Sequence, residues 1–312
     1  MAAVADLPTI DPDSARLYAL VARTARRAVV FRRGPSKRVR MLVWNLASDT
    51  LEPGQWVKGR VYERRCDLSP DGEFVACFVA NHRQPYYAWT TISRPPFFTA
   101  LQLWPKGDCW GGGGLFESGA HFRLNHRPGV GAGRGLTEMG LAPGFAPARR
   151  LRVEPLGEAS GWGEDDPIRL LRMIREGWAD PGRPSEAKRH GEAARFWVTF
   201  EPPRQLRKPL AKQKKRAPLF LCLNTHAVLE RQGRWLVETA TIESAEGAVA
   251  RELGRVDFAE LDHNGDALYG ADGKLWRLPA PQIAGSVPRI VADLNDMTFE
   301  AIEPTAEARR PM

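Results

Sequence analysis

The chain has 312 residues, 43% of them hydrophobic and 26% charged, a composition that excludes a disordered tail or linker. Its formal charge is +8, with 36 of its 45 basic residues arginine, and the excess is uneven: residues 1–157 hold 22 basic and 13 acidic groups, residues 158–312 hold 23 and 24. No stretch approaches the ~18 apolar residues of a membrane span. The opening segment carries Asp6, Asp11 and Asp13 where a secretory signal would be basic and then apolar, so a cytoplasmic protein with no membrane contact is expected.

Residues 1–25 read as a lead-in containing a short N-terminal helix over about Ser14–Val21, with Asp13 or Ser14 as its cap and Leu17, Leu20 and Val21 as its apolar stripe. Short β runs follow over Arg26–Arg33, Val39–Leu46, Phe74–Ala80 and Phe97–Trp104. An insertion near 158–195 carries a second helix. Asp166 is its N-cap, Pro167 its first residue and Gly177 its stop, and Ile168, Leu171 and Ile174 share a face, with Trp178 beyond. The β runs resume at Phe196–Phe200, Leu219–Leu223, Arg234–Thr241, Ala267–Tyr269, Lys274–Leu278 and Thr298–Ile302, and residues 305–312 form a tail. Between them stand turn signals: Gly34-Pro35, Ala47-Ser48-Asp49, Pro70-Asp71-Gly72, Gln232-Gly233, Asn264-Gly265 and Asp272-Gly273. Many short strands joined by tight turns make an all-β sandwich, barrel or propeller.

Two segments share one plan of strand end, polar turn with glycine, and β run: Cys66 to Ala76, and Ala259 to Tyr269. Their glycines, Gly72 and Gly265, stand 193 residues apart, which fits four repeats of somewhat over ~40–45 residues, the length of a propeller blade. Leu68-Ser69-Pro70-Asp71-Gly72 resembles the LSPDG turn of WD40-like and TolB-like β-propeller repeats, and Val43-Trp44-Asn45-Leu46 resembles the VWDL strand end of a WD40 blade. Asp262-His263-Asn264-Gly265 and Asp272 to Leu278 are similar to the paired hairpins of such a blade. The resemblance covers about two blades, and the Gly-His and Trp-Asp signature of true WD40 repeats is missing. It implies a β-propeller of about five or six blades over residues 26–304, a single domain that is usually a platform for protein partners. Closure of the ring is expected from pairing of Thr298–Ile302 with an early strand such as Ala28–Phe31.

No catalytic set stands out. The four cysteines, Cys66, Cys77, Cys109 and Cys222, form no C-x-x-C pair and read as buried, reduced thiols. His121 and His126 lack a second ligand pair, so neither a metal nor another cofactor is expected. Asp262 to Asp266 opens like a calcium loop, but Ala267 and Gly273 fall where glycine and glutamate belong, so a tight turn is the reading. The glycine runs Gly111–Gly114 and Gly129, Gly131, Gly133, Gly135 match no phosphate-loop or dinucleotide fingerprint and read as flexible loop. Two surfaces remain as candidate partner contacts. One is the aromatic and basic loop region containing Trp104, Trp110, His126 and Arg127. The other is a basic loop near 202–218 with Arg204, Arg207, Lys208, Lys212, Lys214, Lys215 and Arg216, seven cations with no acid among them. The expected function is a non-enzymatic protein-binding platform, a scaffold or adaptor. The alternatives are an enzyme with its site in the propeller channel, and a nucleic-acid-associated module using the arginine-rich surface.

Overall fold

A computed structural model of the chain describes residues 11–34, 37–126, 139–157, 166–192, 195–211, 217–228, 235–280 and 285–312. The protein is mostly β, and the described strands form five sheets, each drawn from its own stretch of the chain. It divides into two compact units: residues 18–176 with 297–312, and residues 177–296 with the described residues before Tyr18.

In the first unit, β1 (Arg16–Val21), β2 (Arg27–Arg33), β3 (Arg38–Asn45) and β4 (Thr50–Lys58) form a four-stranded sheet in chain order. The sequence stripe at Leu17, Leu20 and Val21 predicted a helix here, and β1 corrects it. Leu17 to Leu20 are buried in succession on both faces of a strand, a pattern in which helical and strand spacing cannot be told apart, and pairing with β2 decides. The second sheet holds β5 (Arg60–Val61), β6 (Asp67–Leu68), β7 (Val75–Ala80), β8 (Ala88–Ser93) and β9 (Ala100–Pro105). Both β5 and β6 pair with β7, and a single 3-10 turn, Glu63–Arg65, fills the break between them. Every residue of β7 is buried.

The third sheet joins β10 (Gly114–Ser118), β11 (His121–Leu124) and β12 (Arg152–Pro155), the last parallel to β11. Ala76, Ile92, Trp104, Phe116, Phe122, Leu124 and Leu151 make one core between the second and third sheets. Each large apolar side chain fully buried there contributes roughly 1.5–3 kcal/mol.

The second predicted helix is present as α1 (Ile168–Arg175), but its cap is Pro167, expected as the first helical residue, and not Asp166. Two residues of the predicted stripe, Ile168 and Leu171, pack on Leu115 and Leu156, but the third, Ile174, is exposed, and Arg172 and Met173 are buried as well. Arg172 donates to Cys66 O and to the Tyr18 hydroxyl, so a guanidinium takes a place that hydrophobicity alone assigns to an apolar side chain.

Residues 297–304 are not a strand. They run alongside β4, where Gln55 Nε2 donates to Ile302 O at 3.0 Å and Phe299 meets Trp56 edge-on. The expected pairing of Thr298–Ile302 with Ala28–Phe31 is therefore corrected, because β2 is flanked on both sides by β1 and β3 and has no free edge.

The second unit contains two further antiparallel sheets in chain order. The first is β13 (Glu186–Glu192), β14 (Arg195–Pro209), β15 (Leu219–Val228), β16 (Leu236–Ser244) and β17 (Val249–Val256). The other is β18 (Phe258–Leu261), β19 (Ala267–Ala271), β20 (Lys274–Leu278) and β21 (Arg289–Asp293). The Ala15 and Leu17 amides donate to Asn295 Oδ1 and Asp257 Oδ2 at 2.9 and 3.0 Å. The predicted hairpin turns at Asn264-Gly265 and Asp272-Gly273 are formed, with Gly265, Asp272 and Gly273 at φ +82°, +51° and +72°. Asp262 Oδ1 accepts the amides of Asn264 and Asp266, and Arg277 Nη1 binds the carboxylates of both Asp262 and Asp266. This is the tight turn expected from the sequence, with a buried guanidinium as its cation.

On β15, His226 shares a hydrogen bond with Thr239 Oγ1 at 2.8 Å. Burial lowers its pKa, helped by Arg255 and opposed by Glu238. The unfolded chain then takes up the proton more readily, so this histidine's contribution to stability is intact above its unfolded pKa of about 6.5 and is lost as pH falls through the folded value. Urea titrations of wild type and His226→Gln between neutral pH and pH 5 should show a steeper loss in the wild type; parallel curves would exclude the effect.

Candidate functional site

The glycine run that reads as flexible loop is, at Gly111–Gly114, a packed crossing between β9 and β10, because its backbone passes where no side chain fits. A Cβ on Gly112 would stand 2.3 Å from the Phe78 ring, one on Gly113 2.1 Å from Arg65 O, and one on Gly114 2.4 Å from Arg123 O. Gly111, Gly112 and Gly113 also hold positive φ, which glycine adopts without penalty.

Hydrogen bonds close the crossing. Gly112 N donates to Asn125 O, Asn125 N to Gly113 O, and Gly113 N to Thr90 Oγ1, at 2.8–2.9 Å.

At its centre is Arg65, 1% exposed, from the 3-10 turn. Its Nη1 donates to Cys109 O at 2.7 Å and also to Gly111 O, the carbonyls on either side of Trp110. The guanidinium lies 4.5 Å from the centre of the Tyr62 ring and 5.2 Å from that of Phe78. A buried charge costs several kcal/mol unless it is compensated, and here two carbonyls accept from Nη1 while two ring faces lie against the guanidinium. Burial raises the pKa of Tyr62, and its hydrogen bond to the Cys109 side chain adds to the rise, so the phenol stays protonated and holds the same loop.

Trp110 rides on this bracket. Its side chain is 58% exposed while its amide donates to Asp108 Oδ1 at 2.8 Å, and Lys106 Nζ holds that carboxylate at 2.9 Å. A large aromatic exposed on fixed backbone can enter a partner's pocket with little ordering cost.

The other predicted members of this region lie elsewhere. Trp104 is core, stacked on Phe122 with ring centres 6.1 Å apart. His126 is fully buried, with Nε2 2.9 Å from Thr90 Oγ1. Both were expected on a partner-binding face; the strand end and the glycine crossing turn them inward. Arg127 and the glycines from Gly129 to Gly135 lie outside the described residues.

The basic stretch is also placed differently from the expected loop. Residues 202–209 belong to β14, where Arg204 pairs with Thr225 and Arg207 with Cys222, and Arg207 exchanges backbone hydrogen bonds with Ala179 at 2.8 and 2.9 Å. Pro202 and Pro203, which lack an N–H, fall at the bulge between Thr199 and Arg204, so they interrupt the ladder without ending the strand. Arg204 and Arg207 lay their guanidinium groups over Phe200 and Phe220, at 5.3 and 4.6 Å. Lys208 is committed to Glu260 at 2.6 Å, whose other oxygen accepts Trp178 Nε1. Lys212, Lys214, Lys215 and Arg216 lie outside the described residues.

The four cysteines are free thiols. Burial pushes Cys77 well above the usual thiol range and Cys222 up to about 12, with Cys66 and Glu243 respectively adding to the rise, so both are thiols and not thiolates at neutral pH. No group of three or more His, Cys, Asp or Glu among the described residues is placed to hold a metal ion. No helix among them is long and apolar enough to cross a membrane.

No protein-family model matches the chain, and no curated protein matches it in sequence.

Proposed function

We propose that the chain is a protein-binding platform of β-propeller type, a scaffold or adaptor in which the consecutive antiparallel sheets are blades related to WD40-like repeats and the Trp110 loop is the contact. Support for the blade reading comes from four of the sheets, each a meander taken in chain order, with the LSPDG-type turn joining β6 to β7 and the Asp262–Asp266 turn joining β18 to β19. Platforms present side chains from loops held by a rigid frame.

One observation carries the binding reading. A buried guanidinium is used to fix the two carbonyls that flank an exposed tryptophan, and the fold has no need of that tryptophan for its core. Preorganised aromatics of this kind are the residue class that dominates interface energies.

Tagged wild type and Trp110→Ala, each with nuclease treatment, should differ in what they retain from the native lysate. A stoichiometric partner held by the wild type and weakened by about 2 kcal/mol or more, some thirtyfold, in Trp110→Ala is the expected result. Equal retention by both proteins, or retention of no protein by either, would overturn the reading. Since Trp110 is exposed, the variant should unfold at the wild-type temperature.

A further inference from the structure

The positive excess of the N-terminal half collects at one end of the first sheet. There β2 ends at Arg33, β3 begins at Arg38, β4 ends at Lys58 and β5 begins at Arg60. Register puts like charges opposite one another: Arg32 faces Arg40, and Arg38 faces Lys58. Such pairs destabilise a sheet unless something compensates.

Part of the compensation is visible. Arg32 and Arg40 lie 5.8 and 5.4 Å from the centre of the Trp56 ring, and Arg40 pairs with Glu300 at 3.1 Å. Around the corner, Arg33 and Arg64 share the carboxylate of Glu63 at 3.6 and 3.7 Å. Arg60 lies against the Tyr62 ring, 4.4 Å from its centre, and the remaining three cations, Lys37, Arg38 and Lys58, have no carboxylate partner among the described residues. Lys37 and Lys58 are exposed, and Arg38 has only the face of Phe299, 4.1 Å below its guanidinium. Gly59, at φ +144° and with a Cβ that would stand 2.6 Å from Ala80 O, donates its N–H to Lys37 O at 3.1 Å. That bond holds the end of β4 against Lys37, so the backbone positions that carry the three cations are neighbours.

Beside them is an aromatic pair. Phe299, 52% exposed, meets Trp56 at 62° with ring centres 6.3 Å apart. Cations next to a ring open to solvent are the combination that takes the phosphates and bases of a single strand. An acidic peptide would use the cations and leave the ring idle. We propose that Lys37, Arg38, Lys58 and Phe299 form a binding surface for single-stranded nucleic acid, with Lys37, Arg38 and Lys58 on successive phosphates and one base stacked on Phe299.

The surface is separate from the Trp110 loop and needs no part of the basic stretch on β14. Its test is the anisotropy of a labelled single-stranded oligonucleotide titrated with the full chain over a series of salt concentrations. K37E/K58E should bind at least about tenfold more weakly at low salt, and its plot of log affinity against log salt should be shallower by about 1.4, two contacts at ~0.7 each. K37Q/K58Q should show the same change of slope with a smaller loss.

Phe299→Ala should lower the preference for single strand over duplex and leave the slope unchanged, and Trp110→Ala should bind as wild type does. The proposal fails if the wild type does not bind at low salt, if both double variants bind as tightly as wild type, or if polyglutamate competes as well as the oligonucleotide. Undiminished preference for single strand in Phe299→Ala would remove the stacked base from it. Loss of oligonucleotide binding in Trp110→Ala would move the site to that loop and overturn this assignment.

Discussion

Asp67→Ala is expected to cost about 3 kcal/mol of stability, near the lower end of the usual effect of removing one partner from a buried ion pair, since Arg175 is only largely buried. Asp67 is 1% exposed, on β6. Its Oδ2 accepts the Phe116 amide at 2.7 Å, and its two oxygens take both Nη atoms of Arg175 at 2.7 and 2.9 Å. One carboxylate thus joins the second sheet, the third sheet and α1. Arg175 Nη1 also donates to Phe116 O at 2.9 Å, and Arg23 Nη2 reaches the same carbonyl at 2.7 Å.

Without Asp67, the buried Phe116 amide loses its acceptor, and the largely buried guanidinium keeps only Phe116 O and Glu176. Asp67→Asn keeps one acceptor oxygen and should cost less. Arg175→Met leaves Asp67 its bond to Phe116, so Asp67→Ala/Arg175→Met should fall well short of the sum of the single variants, by 1–3 kcal/mol for side chains in direct contact, a range of about that size being usual for such pairs. Urea unfolding of the four proteins measures this. Additive losses would show that the carboxylate and the guanidinium act separately.

Asp67 also shows what the sequence can and cannot convey. Strands announced by apolar runs, such as β2, β3, β7, β15, β19 and β20, are legible because burial of their side chains is what selects them. The turns at Gly72, Gly265 and Gly273 are legible because positive φ demands glycine. Strands β13, Glu-Ala-Lys-Arg-His-Gly-Glu, and β17, Val-Ala-Arg-Glu-Leu-Gly-Arg-Val, were not predicted. They are sheet edges, with one neighbour each and little burial, and register from that neighbour supplies what hydrophobicity does not. The same absence of local signal hid the buried arginines. Arg65 in Glu-Arg-Arg-Cys and Arg172 in the face of α1 look like surface charge until the chain brings Gly111 and Cys66 against them.

The candidate surfaces divide in the same way. Trp110 is legible as a large aromatic among glycines, while its bracket depends on a residue 45 positions earlier, Arg65. The charge imbalance of the N-terminal half is legible from counting. That it concentrates Lys37, Arg38 and Lys58 beside Phe299 follows only from the pairing of β3 with β4 and from the course of residues 297–304.

Gly113→Ala should be the second large loss, about 3 kcal/mol or more, and it should remove partner binding as well. The new Cβ would stand 2.1 Å from the backbone oxygen of Arg65 and 2.9 Å from its Cβ, and φ +77° is a conformation that alanine adopts only under strain. Relief requires the crossing to move. Moving it breaks the Gly113 bond to Thr90 Oγ1 and draws Gly111 O from Arg65, which frees Trp110 from its bracket.

Gly144→Ala separates the two contributions. It has a similar φ of +88°, with nothing within 4 Å of its Cβ, so it should show the conformational strain alone, roughly 1–2 kcal/mol, with Trp110 in place. Thermal unfolding, and the part of the quenchable fluorescence that Trp110→Phe removes in each variant, give the comparison. An equal cost at both glycines would mean that the crossing yields easily and that Trp110 is not held as proposed. A large excess at Gly113 with a disordered Trp110 would show that the packed glycine run and the exposed tryptophan are parts of one device.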